Sequence, residues 1–400
     1  MPSSVPKKED AEISAFEPTL RHIENHWEKL TFDLPQDMGI HIGLPNPFVS
    51  PDSDFFANDQ FYWDSHFTIL GLVDSGKTPL AKGMVENFAH LFNKFGIVPS
   101  RNRFYNLGIS QPPFLTSMAL EVFQKTQDKE WLRSIAKVAE QELEKYWMDE
   151  HHLSYGGLSR YCDHFITHTT AEHESGWDMT SRFNDHCLDY LPVDLNSCLF
   201  KYESDLANVH HLLGDSTKGD HFGQLAEKRK ANMVLHMWNE KKGFFYDYNH
   251  DAKQQSHFVS VAGLYPLWAK LATSEQAGKV RKNLRLLECD GGLANTQKTR
   301  LLKPARQHDF PNGWAPQQYI AIQGLMNYGF KEDAERLTQK WLTLNQDLFL
   351  KTGHMWEKYD VVNRDIGKSE RYRMLSGFGW TNGVFVRLSR MNLAQTLKQL

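Results

Sequence analysis

Seven short segments of this 400-residue chain set an aromatic ring beside a carboxylate or an amide. They are FYWDSHF (61–67), RNRFYNLGISQPPF (101–114), ESGWDMTSRF (174–183), PVDLN (192–196), HDFPNGWAP (308–316), MWEKYD (355–360) and GFGWTNG (377–383). Indole and phenol faces stack on the apolar C–H faces of sugar rings, while carboxylates and amides hydrogen-bond hydroxyls. The pattern predicts a pocket for a polar, uncharged, ring-shaped ligand. Each segment alone has a plainer reading, since Trp is usually core and a carboxylate at a helix start usually caps it. Their repetition at the junctions between helices argues for a shared site.

The elements that must position these segments are helices, and they come in pairs. Residues 111–124 are apolar on nearly every side, whereas 128–148 opens on Asp128 as an N-cap. That second helix places Trp131, Ile135, Val138, Ala139, Leu143 and Tyr146 on one stripe. The couple recurs late in the chain: 314–329 is almost free of charge, and 331–346 carries Ala334, Leu337, Trp341 and Leu344 on one face. A helix apolar all round belongs inside, with an amphipathic one packed against it. Further helices are expected at 14–30, 63–74, 78–95, 195–213, 217–239, 260–272, 274–288 and 377–391, and a hairpin at 243–249. Inner and outer helices alternating in six pairs describe an all-α (α/α)6 barrel. No 30–45-residue repeat supports a solenoid instead. Long junction loops at 40–60, 98–113, 151–182, 289–313 and 352–380 carry the aromatic segments. No linker divides the chain, so one domain is expected over 13–400, after a flexible tail at 1–12.

Composition narrows the partners. Lys+Arg 45 against Asp+Glu 49 gives a net charge of −4, which disfavours nucleic acid, because such partners require a basic face. No apolar run approaches membrane-span length, and the first residues lack the apolar core of a signal peptide. A cytoplasmic protein with no membrane partner is expected. Cys162, Cys187, Cys198 and Cys289 form no CxxC pair and no metal-ligand spacing, so reduced thiols and no metal are expected.

ESGWDMTSRF, PVDLN, FPNGWAP, EKYD and GFGWTNG, in this order, resemble the motifs of trehalases of glycoside hydrolase family 37. FYWDS and SQPPF match earlier motifs of the same family. The resemblance runs from about Phe61 to about Val384. It implies an (α/α)6 barrel, no cofactor, and an inverting α-glycosidase acting on a small carbohydrate. It also implies that Asp178 is the general acid and Glu357 the general base. Acetal cleavage with inversion needs one carboxylic acid on the leaving oxygen and one carboxylate on the attacking water, about 6.5–9.5 Å apart. The indole of Trp177 is expected to favour the protonated form of Asp178. Without the resemblance, Asp178 reads as an N-cap for a helix starting at Met179, and Glu357 as a solvated charge.

The same resemblance implies lesser roles. Trp63 and Asp64 form one wall, Gln111 and either Asn196 or Asp309 bind hydroxyls, and Trp314 and Trp380 offer stacking faces. Arg182 is expected one helical turn from Asp178, tuning it electrostatically. The sequence also departs from the family. FFANDQ (55–60) lacks the arginines that precede the family's YWD, Ile109 replaces an arginine before SQPP, and Ser100 replaces an asparagine. The chain also runs from SRYCDHF (159–165) to Glu174 without the family's Arg-Pro-Glu-Ser segment. Arg101 or Arg103 is the candidate replacement for one lost arginine. Losing buried polar contacts changes which group is held beside the scissile bond.

Three other readings follow. The first is a glucosylglycerate or mannosylglycerate hydrolase of the compact family 63 type. The second is a sugar 2-epimerase using histidines such as His210, His211 or His308, which would not need the Asp178/Glu357 pair. The third is a non-catalytic sugar-binding relative. The sequence leaves the oligomeric state open.

Overall fold

A computed structural model describes residues 8–298, 306–368 and 372–396. Helices α1 (Lys8–Leu30), α2 (Tyr62–Asp74), α3 (Thr78–Phe95), α4 (Leu115–Thr126), α5 (Lys129–Glu142), α6 (His168–Glu174) and α7 (Val193–Leu213) form the first half. Helices α8 (Ser216–Met237), α9 (Tyr265–Trp268), α10 (Ser274–Lys282), α11 (Ala315–Asn327), α12 (Lys331–Thr352) and α13 (Gly379–Thr396) follow. The contacts close a ring: α2 packs on α4, α4 on α7, α7 on α9, α9 on α11, α11 on α13, and α13 back on α2. Outside it, α1 covers α12 and α13, α3 covers α2 and α4, α5 covers α4 and α7, α8 covers α7, and α12 covers α11 and α13. The expected (α/α)6 barrel is present.

The hydrophobic pattern sorts these helices as expected. Every residue of α11 from Ala315 to Ile322 is buried, whereas α5 buries Trp131, Ile135, Val138 and Ala139 and exposes Lys129, Glu130, Arg133 and Lys137. Asp128 caps α5 by accepting the Trp131 N–H at 3.0 Å. Between α2 and α13 the backbones touch. A Cβ on Gly383 would lie 2.1 Å from the Phe67 carbonyl oxygen, so the last glycine of GFGWTNG is needed for this crossing.

Several local expectations change. Helix α1 starts at Lys8, inside the segment read as a tail; residues 1–7 lie outside the described residues. The helix expected at 260–272 is a 3₁₀ turn, Val261–Leu264, followed by the single turn α9, because Pro266 cannot donate a backbone hydrogen bond. The hairpin expected around 243–249 is present as two short antiparallel pairs. Phe244–Phe245 pairs with Trp238–Asn239, while Tyr248–Asn249 pairs with Gln254–Gln255 and with Tyr190–Leu191. Asp247, between the two strands, turns inward to Arg182 and to the Val193 N–H, which separates the ladders. The four cysteines are unpaired. Among the described residues no helix is long and apolar enough to cross a membrane.

Candidate active site

The N-terminal ends of the inner helices and the loops before them enclose a cavity of about 360 Å3. The first turn of α2 brings Trp63 and Asp64, the loop before α4 brings Gln111, and the residue preceding α11 is Trp314. The first turn of α13 brings Trp380. Trp380 meets Trp63 edge to face at 5.7 Å and Trp314 at 5.6 Å, so the three indoles fix one another. The Gln111 amide oxygen accepts the Trp63 N–H at 3.3 Å, tying its loop to α2. Gly176 (φ 71°) lets the next loop pass over Trp63, where a Cβ would come within 2.7 Å of the ring.

Asp178 and Glu357 line this same cavity. Asp178 is half-buried in the loop that follows α6, and no helix begins at Met179. The next turn is 3₁₀, Ser181–Phe183, and it is capped by Thr180. The loop is clamped from both sides. Glu174 accepts from the Cys162 N–H at 2.8 Å, from His152 and from the Tyr146 hydroxyl, while Glu172 accepts the Thr180 N–H at 2.7 Å.

Glu357 is only 2% exposed, not solvated. Its Oε2 accepts from Lys358 Nζ at 2.8 Å and its Oε1 from the Tyr372 hydroxyl at 2.6 Å. Lys358 Nζ also reaches Gln307 and lies 4.5 Å from the centre of the Trp314 ring. Asp360, two residues on, points away to the Val362 and Asn363 N–H groups. Two donors leave lone pairs on Glu357 available for a water.

Burial pushes the Asp64 carboxyl well above the ordinary carboxylate range. The negative charges of Glu357 and Asp178 push it the same way, against its own backbone N–H and Arg101. The protonated form thus favoured can donate a hydrogen bond as well as accept one.

Four residues expected at the site, Arg182, Asn196, Asp309 and Trp177, are reassigned, since none of these side chains lines the cavity. Arg182 is 2% exposed and lies between two carboxylates. Its Nε and Nη2 reach Asp247 at 2.7 and 2.5 Å, and Nη1 and Nη2 reach Asp194 at 2.9 and 2.7 Å. It is not one helical turn from Asp178, because the segment between them is a turn and not an α-helix.

Asn196 is saturated by the Ser159 N–H and C=O, the Pro192 C=O and Arg229. Asp309 spends its oxygens on Thr180, Ser181 and the Arg306 N–H, so it holds the Asp178 loop from below. Trp177 is buried behind the wall, stacked at 5.6 Å on His308, which stacks on Trp314 at 4.0 Å.

The structure adds cavity residues that the motifs did not mark. Tyr372 comes from a segment without a motif, and its only signal was its place in the long 352–380 loop. Gln307, beside HDFPNGWAP, donates to the Asp178 carbonyl oxygen. Both candidate arginines pair with Asp59, and of the two only Arg101 lines the cavity, 5.0 Å from the Phe61 ring centre. Ile109 and Ser100 line it at the positions where they replace family polar groups, beside Phe55 and Phe56. His210 and His211 sit at the far end of α7, near Glu140 and Asp220.

A family model described as trehalase matches residues 4–164 and 159–392. The cytosolic neutral trehalase of Beauveria bassiana is 33% identical over 85% of this chain and 58% of its own length. The chain therefore spans less than two thirds of that relative. The periplasmic trehalase of Escherichia coli O8 is 31% identical over 96% of this chain and 76% of its own. Among solved structures, neutral trehalase Nth1 from Saccharomyces cerevisiae superposes with a TM-score of 0.79 at 29% identity, covering 98% of this chain and 88% of that one. The GH63 mannosylglycerate hydrolase from Thermus thermophilus shares the fold, with a TM-score of 0.71 at 17% identity, covering 92% and 99% of the two chains.

Proposed function

Because this chain belongs to the trehalase family, we propose that it is an inverting glycosidase that hydrolyses trehalose. The observation that carries the reading is the single cavity in which Asp178 and Glu357 share walls with Asp64 and three tryptophans. Asp178 gives its proton to the glycosidic oxygen as the C1–O bond breaks. Glu357 takes a proton from the water that forms the new C1–O bond on the opposite face. Trp63, Trp314 and Trp380 hold the sugar ring, and Asp64 and Gln111 bind its hydroxyls. Phe55, Phe56, Phe61 and Arg101 form the rim for the second ring, a more aromatic rim than the lost arginines would have made.

Product stereochemistry tests the mechanism. Inversion at one of two α-linked carbons releases α- and β-glucose in equal amounts, read by proton NMR within the first minutes. Release of the α anomer alone means retention and removes the assigned roles. Failure to cleave trehalose at all, with sugar isomerisation instead, overturns the hydrolase reading.

Tyr372 positions Glu357. A hydrogen bond to a charged group is worth about 1.5–3 kcal/mol, so Tyr372→Phe is expected to lower kcat by roughly 10- to 100-fold with unchanged thermal stability. An unaltered kcat removes Tyr372 from the machinery. Four unpaired cysteines favour a reducing compartment, hence a cytoplasmic enzyme, and subcellular fractionation tests this.

A further inference from the structure

The candidate active-site cavity changes character from floor to mouth. Trp314, Trp63 and Trp380 at its floor are 1%, 2% and 5% exposed, whereas Phe55 at its mouth is 49% exposed. Phe55 does not stand alone. Its ring meets Phe56 edge to face at 4.8 Å and stacks on Tyr372 at 5.7 Å, and Phe56 meets Phe61 at 5.1 Å. Phe56, Phe61 and Tyr372 are half-buried, and all four rings line the cavity. Single exposed apolar residues are ordinary on a protein surface, but a joined group of rings at a cavity entrance marks a place where a ligand covers apolar surface.

The segment that carries the first two rings is held in place without them. Asp52, 3% exposed, accepts the N–H groups of Asp54, Phe55 and Phe56 at 2.8, 2.7 and 3.1 Å. Two consecutive aromatic residues are thereby fixed on a turn before a ligand arrives, so covering them costs little ordering.

Hydrogen-bonding capacity beside the rings is low. Tyr372 turns its hydroxyl inward to Glu357. The other half-buried polar side chains of the lining are Arg101, Asn106, His173 and Asp178. Arg101 spends Nε on Asn106, Nη1 on Asp59 and Nη2 on Tyr105. Every hydroxyl of a sugar covered at the mouth needs a partner, whereas an alkyl chain or a phenyl ring needs none and gains by leaving water.

We infer that the site also hydrolyses α-glucosides of apolar alcohols, alkyl or aryl, with the aglycone lying across Phe55, Phe56 and Tyr372. The inference rests on the glycosidase reading, because the floor must hold the glucosyl ring. The C1–O bond to the alcohol breaks and Asp178 gives the departing oxygen its proton. Water adds hydroxide to C1 while its remaining proton passes to Glu357, which leaves glucose and the free alcohol.

Two series on the full chain test it: methyl, butyl and hexyl α-D-glucoside for turnover, and the corresponding 1-thio-α-D-glucosides, which resist hydrolysis, for calorimetric binding. The leaving alcohols have nearly the same acidity, so differences within the first series report the mouth and not the chemistry. A buried methylene is worth up to roughly fourfold in affinity, so kcat/KM and 1/Kd are expected to rise about tenfold or more from methyl to hexyl. In the double variant Phe55→Ser, Phe56→Ser the rise is expected to shrink to about twofold, and Phe55→Trp, which keeps an apolar face, is expected to retain it. A flat thioglucoside series in the parent overturns the inference, and so does a rise that the double variant keeps. Trehalose cleavage without turnover of the alkyl glucosides overturns it and leaves the proposed function standing. Cleavage of hexyl glucoside but not of trehalose supports it and strikes the trehalose reading, and cleavage of neither strikes both.

Discussion

Asp178→Asn is expected to lower kcat for trehalose by about 10²–10⁴-fold, the usual worth of a general acid, while the thermal unfolding curve stays where it was. The amide keeps the shape of the side chain and removes its transferable proton. The fold should not respond, because the loop is held by other groups. Glu174 grips its start, Glu172 and Asp309 grip Thr180 and Ser181, and Gln307 binds the Asp178 main-chain carbonyl. The loss should shrink for substrates with good leaving groups such as fluoride, which need no protonation. Full activity of the variant on trehalose would exclude Asp178 as the acid. An equal loss on glucosyl fluoride would mean that the residue positions substrate instead.

Arg182→Met is expected to be the most destabilising single substitution in the site region, costing about 3–5 kcal/mol in chemical denaturation. Removing the guanidinium leaves the carboxylates of Asp194 and Asp247 buried and facing each other without a cation. Each has lost two hydrogen bonds. The damage should reach the active site through packing, since the guanidinium lies 4.9 Å from the centre of the Trp177 ring, which backs His308 and Trp314. Arg182→Lys should recover part of the stability, because a point charge restores neutrality without the paired geometry. A loss below about 1 kcal/mol for Arg182→Met would show that the carboxylates find other partners or protons.

These two residues mark how far the chain could be read. Asp178 and Arg182 sit four apart in one motif, and the motif identifies both as members of a site. Their separation in role depends on the conformation between them. An α-helix would have stacked them one turn apart. The chain instead makes a loop and a 3₁₀ turn, which directs Asp178 to the cavity and Arg182 to the barrel wall. Asn196 and Asp309 were misread for the same reason: a polar residue in a motif is equally able to serve the substrate or the backbone that presents it.

What the sequence by itself determined is most of the long helices, their sorting into inner and outer layers, and the clustering of aromatic and acidic residues in junction loops. Hydrophobic periodicity encodes the first two directly, because burial of one face or of all faces is a local property of composition. Tertiary structure decided which face of each loop meets the cavity. Only ring closure brings α13 against α2, and with it Trp380 against Trp63. It also brings Tyr372 to Glu357. Those contacts join residues far apart in the chain, and their partners are set by three-dimensional packing that no local pattern records.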